Sequence, residues 1–361
     1  MTPQKDLTEA EVEAYSRQIA LDEIGYQGQV KLRNARVCVV GIGGLGNISA
    51  MRLTAMGVGY LRLVDRDVVS RSDLHRQTLY DVDLIGYPKV EAAAKKLCRL
   101  NPDVELDPAP APVTESNVDQ LLKDVDIVID GLDRVSPRYI INRACHRLKI
   151  PYVFGSAIEL YGNASTIIPD KTPCLECFYV EIKNDDLPRC AVVGVHPSVV
   201  GVIANVQVYE SVNLILGRQP SLAGKIFYAD LRHMAFDSVE IRKRDTCPVC
   251  GSTTSTPSPP SSGISLDETC GREGGRTFVI TPPQLFDADL SRIRVAAESA
   301  GRKIALSSHF GVTFTHSEGI QISFLKSGCM VLVASQQASK KIAQKDVLGL
   351  YLKYREIAAR N

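Results

Sequence analysis

Apolar runs of strand length alternate with stretches of helical period over the first two thirds of the chain. Residues 36–40 form an apolar run that ends in Gly41-Ile42-Gly43-Gly44-Leu45-Gly46, and 47–56 then carries helical spacing. A second run, 60–64, ends in Asp65. Further runs at 125–129, 151–156 and 161–168, with helical stretches at 90–100 and 137–148, predict an α/β sheet covered by helices. Upstream, 7–21 reads as an amphipathic helix, opened by Thr8 as N-cap with Glu11 three residues on. Residues 198–216 read as a long apolar helix, followed by strands at 226–230 and 239–243. The Ser-, Thr-, Pro- and Gly-rich stretch 251–275 predicts a flexible linker. Beyond it, strands at 277–281, 303–306, 312–316, 320–325 and 330–334, with helices at 289–300 and 344–359, predict a separate small α+β domain. The expected division is therefore a large domain over 1–250, a linker over 251–275 and a small domain over 276–361.

Composition narrows the class without naming it. With 361 residues, 45% hydrophobic and 23% charged, the chain resembles an ordinary globular protein. A net charge of +1 gives no bulk attraction to nucleic acid or to a membrane surface. No unbroken apolar run has the length of a membrane span, and the polar, acidic start does not read as a signal peptide. The expected location is cytoplasmic. Four of the ten cysteines form two C-x-x-C pairs, which suits a reduced interior and a metal.

The glycine turn carries the first chemistry. Gly41, Gly43 and Gly46, with an acid at Asp65, make a G-x-G-x-x-G turn in a βαβ start, the pattern of a Rossmann-like nucleotide site. Gly41 and Gly43 let the backbone approach phosphates, Gly46 permits close packing, and the helix start offers free N–H groups to an anion. The competing reading is a tight turn without a ligand. Asp65 can accept both hydroxyls of a ribose. Arg76 and Lys89 follow in the same half-domain, and together they neutralise a polyphosphate better than a dinucleotide requires. Asp130 and Asp133 lie at the end of the 125–129 strand, where carboxylates suit magnesium bound with phosphates. Of the two, Asp133 is the metal candidate and Asp130 reads as structural. Either residue can instead cap the helix that follows. Cys174, Cys177, Cys247 and Cys250 have the spacing of a four-thiolate zinc site with a structural role, against the alternative of a redox pair. Cys190 stands outside that set, beside Arg189, where a neighbouring cation favours thiolate; the plain alternative is an inert loop thiol. Arg17, read by itself, is a surface charge.

Taken together, these motifs resemble the ubiquitin-activating enzyme family in its small ThiF/MoeB-type adenylyltransferase form. The resemblance runs from Tyr15-Ser16-Arg17-Gln18-Ile19 to Cys250-Gly251. It includes the glycine turn with Gly44, the segments at Asp65-x-Asp67, Leu74-x-Arg76-Gln77 and Gly86-x-Pro88-Lys89, and both cysteine pairs. It implies an enzyme that uses ATP and Mg2+ to adenylate the C-terminal glycine of a ubiquitin-like, β-grasp protein, with Zn2+ as a structural ion. It implies that Asp65 holds the ribose, with Asp67 close by, and that Arg76 and Lys89 hold phosphates with Gln77 nearby. Asp133 would bind magnesium, and Arg17 would reach across a homodimer into the neighbour's site. Cys190 falls where many members carry an acceptor cysteine.

Two positions depart from the family pattern, which usually has Asn where Asp73 and Arg134 stand. The leading expectation is activation of a ubiquitin-like protein, a thioester on Cys190, and transfer to a conjugating enzyme recruited by the C-terminal domain. The alternative keeps adenylation and makes a thiocarboxylate for molybdopterin, thiamin or tRNA sulfur chemistry. A nicotinamide dehydrogenase and a non-catalytic zinc-stabilised module are the more distant alternatives.

Overall fold

The computed structural model describes residues 5–180, 182, 193–252, 263–270 and 275–359. Its larger sheet has eight strands in the order β3-β2-β1-β4-β5-β6-β7-β8. These are β1 (Arg36–Val40), β2 (Tyr60–Val64), β3 (Glu105–Ala109), β4 (Ile127–Asp130), β5 (Tyr152–Ile158), β6 (Tyr161–Ile167), β7 (Lys225–Asp230) and β8 (Ala235–Glu240). From β3 to β5 all neighbours are parallel, and β6, β7 and β8 continue the sheet antiparallel. The chain runs outward from β1 to β2 and β3, then returns to β4 on the other side of β1. The order therefore reverses at β1, where the glycine turn emerges and where open α/β sheets bind ligands.

Local chemistry accounts for the boundaries. Thr8 and Glu11 form the expected capping box, but the first helix, Glu9–Ala14, stops at Tyr15. Tyr15 is buried under Gly57, and its hydroxyl accepts from Asn101 Nδ2, so the chain bends there before the short helix Ser16–Ile19. Strand β3, whose polar sequence contains Pro108, was not expected. Pro is tolerated because β3 lies at the sheet edge. Strand β8 begins earlier than the expected 239–243, because its hairpin with β7 sets the register Asp230↔Ala235.

Helix Pro197–Leu216 is long and apolar enough to cross a membrane by length and composition. Its place in this fold is the core, against helix Gly44–Ala55, β5 and β6. Its buried Gln207 donates to the Asp130 and Val153 carbonyls at 2.8 and 3.1 Å. Its buried Glu210 accepts from Thr166 Oγ1 and from the backbone N–H groups of Ser221 and Leu222.

The C-terminal region forms a six-stranded antiparallel sheet in the order β11-β12-β13-β14-β10-β9. The strands are β9 (Ser265–Cys270), β10 (Arg276–Thr281), β11 (Ile304–Ser307), β12 (Gly311–Ser317), β13 (Ile320–Leu325) and β14 (Met330–Ala334). Helices Leu290–Ser299 and Gln344–Ala359 pack on it, around Phe278, Phe314, Phe324 and Tyr351. Strand β9 falls within the stretch read as linker. Its polar residues pair along β10, from Cys270↔Arg276 to Ser265↔Thr281, and this long ladder outweighs a weak local preference.

Candidate nucleotide site and metal centre

The turn after β1 is shaped by what glycine omits. Gly41 has φ +86°, and a Cβ there would meet the Gly131 carbonyl oxygen at 2.6 Å. A Cβ on Gly46 would meet the Gly41 carbonyl oxygen at 1.8 Å, so helix and strand approach as no larger residue permits. Gly43 differs: its Cβ would meet nothing closer than 3.7 Å. The turn thus opens a cradle at Gly43, with Gly44 as the first residue of helix Gly44–Ala55 and its unpaired N–H groups beside it.

The acidic and basic candidates gather around this cradle. Asp65 accepts from the Ile42 N–H at 2.7 Å and from the Asp67 N–H at 2.8 Å, which ties the end of β2 to the turn. Its carboxyl is pushed up to about 6, first by burial and then by the Asp67 charge, against the pull of Lys89. Tyr80 donates to the Ile42 and Lys89 carbonyls, so the turn and the start of helix Lys89–Leu100 are joined.

Lys89 is buried. Its Nζ lies 3.6 Å from Asp73 Oδ2 and 3.8 Å from Asp67 Oδ2. Burial works against its charge, but the carboxylates of Asp73, Asp67 and Asp65 outweigh it and hold the ammonium protonated. Asp73 also takes Gln77 Nε2 at 2.8 Å and Arg76 Nη2 at 3.4 Å. Burial alone would raise the Asp73 carboxyl; Lys89, the Ser70 donors and Arg76 together hold it below its usual range. Arg76, Gln77 and Lys89, the three expected phosphate-side residues, therefore converge on one buried carboxylate at the position where the family usually has Asn. The spacing of 73, 76 and 77 on one turn was the available signal for this cluster.

At the end of β4, Asp130 is fully buried. It accepts from Arg138 Nε at 2.9 Å, Tyr152 Oη at 2.6 Å and the Leu132 N–H. It braces the sheet and has no exposed surface to offer an ion. Asp133 is exposed on the loop that follows, near enough to support the charges of Lys89 and Arg66. Arg66 and Arg134 on these loops were not singled out as site residues. Both pair with Asp267 of β9.

Arg17 does not join this cluster within its own chain. It is exposed on helix Ser16–Ile19, whose neighbouring Gln18 donates to the Met56 carbonyl at the far end of helix Gly44–Ala55. That helix is about 18 Å long, and the glycine turn lies at its other end. Cys190 and Arg189 lie outside the described residues.

The two C-x-x-C pairs do meet. The thiol sulfurs of Cys174, Cys177, Cys247 and Cys250 all lie within 4.8 Å of one another, and all four residues are buried. The Cys174–Cys247 and Cys177–Cys250 sulfurs are 3.5 and 3.3 Å apart. Burial and the neighbouring sulfurs push the Cys174 thiol up, so four thiolates in this space need a cation to balance them. A buried, all-sulfur set of four thiols can hold zinc in a structural role.

A family model described as the ThiF family matches residues 15–249. The SAMP-activating enzyme E1 of Haloferax volcanii is 40% identical over 252 residues, spanning 70% of this chain and 92% of that protein. The adenylyltransferase and sulfurtransferase MOCS3 of Anopheles gambiae is 37% identical over 246 residues, spanning 68% of this chain but 56% of the relative. This chain thus matches little more than half of the MOCS3 length. Among solved structures, E. coli MccB bound to MccA-N7isoASN aligns with a TM-score of 0.60 at 22% identity over 66% of this chain and 75% of that one. PaaA aligns at 0.57 with 26% identity, over 66% of this chain and 76% of that one. The family match ends before β9, so the antiparallel sheet lies beyond it.

Proposed function

Because the chain belongs to the ThiF family, we propose that it is an enzyme that adenylates the C-terminal carboxylate of a small β-grasp carrier protein. The observation that carries this reading is the buried Lys89, grouped with Arg76 and Gln77 around Asp73 beside the open Gly43 cradle. So much cationic and donor capacity suits a triphosphate, where a nicotinamide dinucleotide needs only the turn and the ribose acid. The relatives named as an E1 and as an adenylyltransferase support the same step.

In this reading Asp65 and Asp67 hold the ribose side of ATP, and Gly41, Gly43, Gly44 and Gly46 form the phosphate cradle. A carboxylate oxygen of the carrier attacks the α-phosphorus, the bond to the bridging oxygen of pyrophosphate breaks, and pyrophosphate leaves. Lys89 and Arg76 face the negative charge that shifts onto the phosphates. Asp133 would hold magnesium, which would supply Lewis-acid neutralisation of the phosphate charge. Arg17, remote from its own site, acts on the neighbour's in a homodimer.

The adenylate is then passed on. In the leading form the Cys190 sulfur attacks the acyl carbon, AMP leaves, and a thioester forms for transfer to a conjugating enzyme. The other form delivers the adenylate to a sulfur donor and yields a thiocarboxylate. The MOCS3 name, which includes sulfurtransferase, supports that form equally. Intact-mass analysis of carrier plus enzyme plus ATP tests both. Carrier–AMP should appear with wild-type enzyme and with Cys190→Ala. A carrier–enzyme adduct lost in Cys190→Ala with the mass of a thioester marks the first form; an adduct heavier by one sulfur, an acyl disulfide, or free carrier gaining one sulfur in place of oxygen marks the second. No carrier–AMP under any condition contradicts the proposal.

A further inference from the structure

The C-terminal sheet is docked on the nucleotide loops. Asp267 of β9 accepts from Arg66 Nη1 at 2.7 Å through one carboxylate oxygen and from Arg134 Nη1 at 2.8 Å through the other. Arg66 directly follows Asp65 after β2, and Arg134 directly follows Asp133 after β4. Strands β2 and β4 flank β1, so one carboxylate of the C-terminal domain bridges the two loops on either side of the glycine turn. Two other contacts seat the domain. Thr313 Oγ1 donates to the Gly86 carbonyl at 2.9 Å, and Val68 packs against Val279, Leu325 and Val331.

The electrostatics give this bridge a purpose. The Arg66 charge is opposed by burial and supported by Asp67, Asp267 and Asp133 in turn. A guanidinium in such company bonds to whichever carboxylate is best placed. Asp267 takes both arginines, and its own carboxyl is held below the usual range by them despite burial. Without it, Arg66 has Asp67 and Asp133 as the nearby carboxylates. A carboxylate occupied by a guanidinium is a poor magnesium ligand, because magnesium needs the same oxygens.

We infer that the C-terminal domain is a working part of the nucleotide site. Asp267 is a positioning residue that holds Arg66 and Arg134 on its own carboxylate, tying the loops after β2 and β4 together and leaving Asp133 open to magnesium-bound nucleotide. This rests on the adenylation reading for the identity of the ligand, and it gives the appended domain a role in the first half-reaction.

The test is calorimetric binding of the α,β-methylene analogue of ATP to the full chain across a magnesium series, with thermal melting of every variant. Asp267→Asn should weaken magnesium-dependent binding about tenfold, the scale of one lost charge-assisted hydrogen bond. Asp267→Glu should recover most of the affinity. Adding Arg66→Gln to Asp267→Asn should recover part, since the guanidinium near Asp133 is then gone. Thr313→Val, which loosens docking away from both arginines, should stay within about twofold of wild type. Wild-type affinity in Asp267→Asn at every magnesium concentration would overturn the inference. So would an equal loss in Thr313→Val, which would reduce the effect to docking. A double variant no better than Asp267→Asn would also count against it. Binding is read without turnover, so a failure of carrier adenylation leaves this result intact and the two failures are separable.

Discussion

The Lys89 ammonium and the Asp73 carboxylate face each other at 3.6 Å, both buried, at the floor of the glycine cradle. Buried ions are costly unless paired, so each holds the other charged. The same pairing competes with a phosphate for Lys89. Asp73→Asn should therefore cost about 2 kcal/mol of stability, moderated because Asp67 still faces Lys89 at 3.8 Å. It should also bind ATP several-fold more tightly. Chemical denaturation and calorimetry check the two halves. Unchanged stability with weaker ATP binding would show that Asp73 serves the nucleotide directly.

Asp65 makes nucleotide binding pH-dependent in a definite direction. Its carboxyl lies at about 6 in the free protein. Ribose hydroxyls donate to the ionised form, so binding must expel a proton once Asp65 is protonated. ATP affinity should be level at neutral pH and fall toward about tenfold per unit below about pH 6. The ATP phosphates titrate nearby, so Asp65→Asn is the control. It should bind more weakly at neutral pH and lose the additional acid dependence. Parallel profiles for the two proteins would remove Asp65 from the ribose role.

Some of this was legible in sequence because it is local. The glycine turn and the acid after β2 each sit within a few residues, where period and turn chemistry determine geometry. The cysteine pairs were legible for a different reason: thiolate spacing announces its own long-range partner. Asp267 had no such signal. Its bridge to Arg66 spans 201 positions, and its strand is polar enough to pass for linker until β10 pairs with it. Strand β3 was hidden by proline, which only its edge position excuses.

The cysteine centre should hold one zinc per chain. Cys247→Ser should lose the metal and destabilise the fold by several kcal/mol, because binding energy in a closed thiolate site is folding energy. Elemental analysis and thermal melting decide this. A metal-free protein that melts as the wild type does would leave the four thiols as a packing cluster.

Arg17 predicts complementation. Arg17→Ala and Lys89→Ala homodimers should each be inactive. Mixing them should restore activity in mixed dimers, where one site receives an intact Lys89 with an intact Arg17 from the neighbour. No recovery after verified subunit exchange would place Arg17 outside the reaction.

The central claim is that Lys89 and its neighbours serve carrier adenylation. Pyrophosphate–ATP exchange measured with and without the carrier protein tests it most directly. The account predicts exchange that requires the carrier and disappears in Lys89→Ala while the folded structure persists. Carrier-independent exchange, or undiminished exchange in Lys89→Ala, would contradict it.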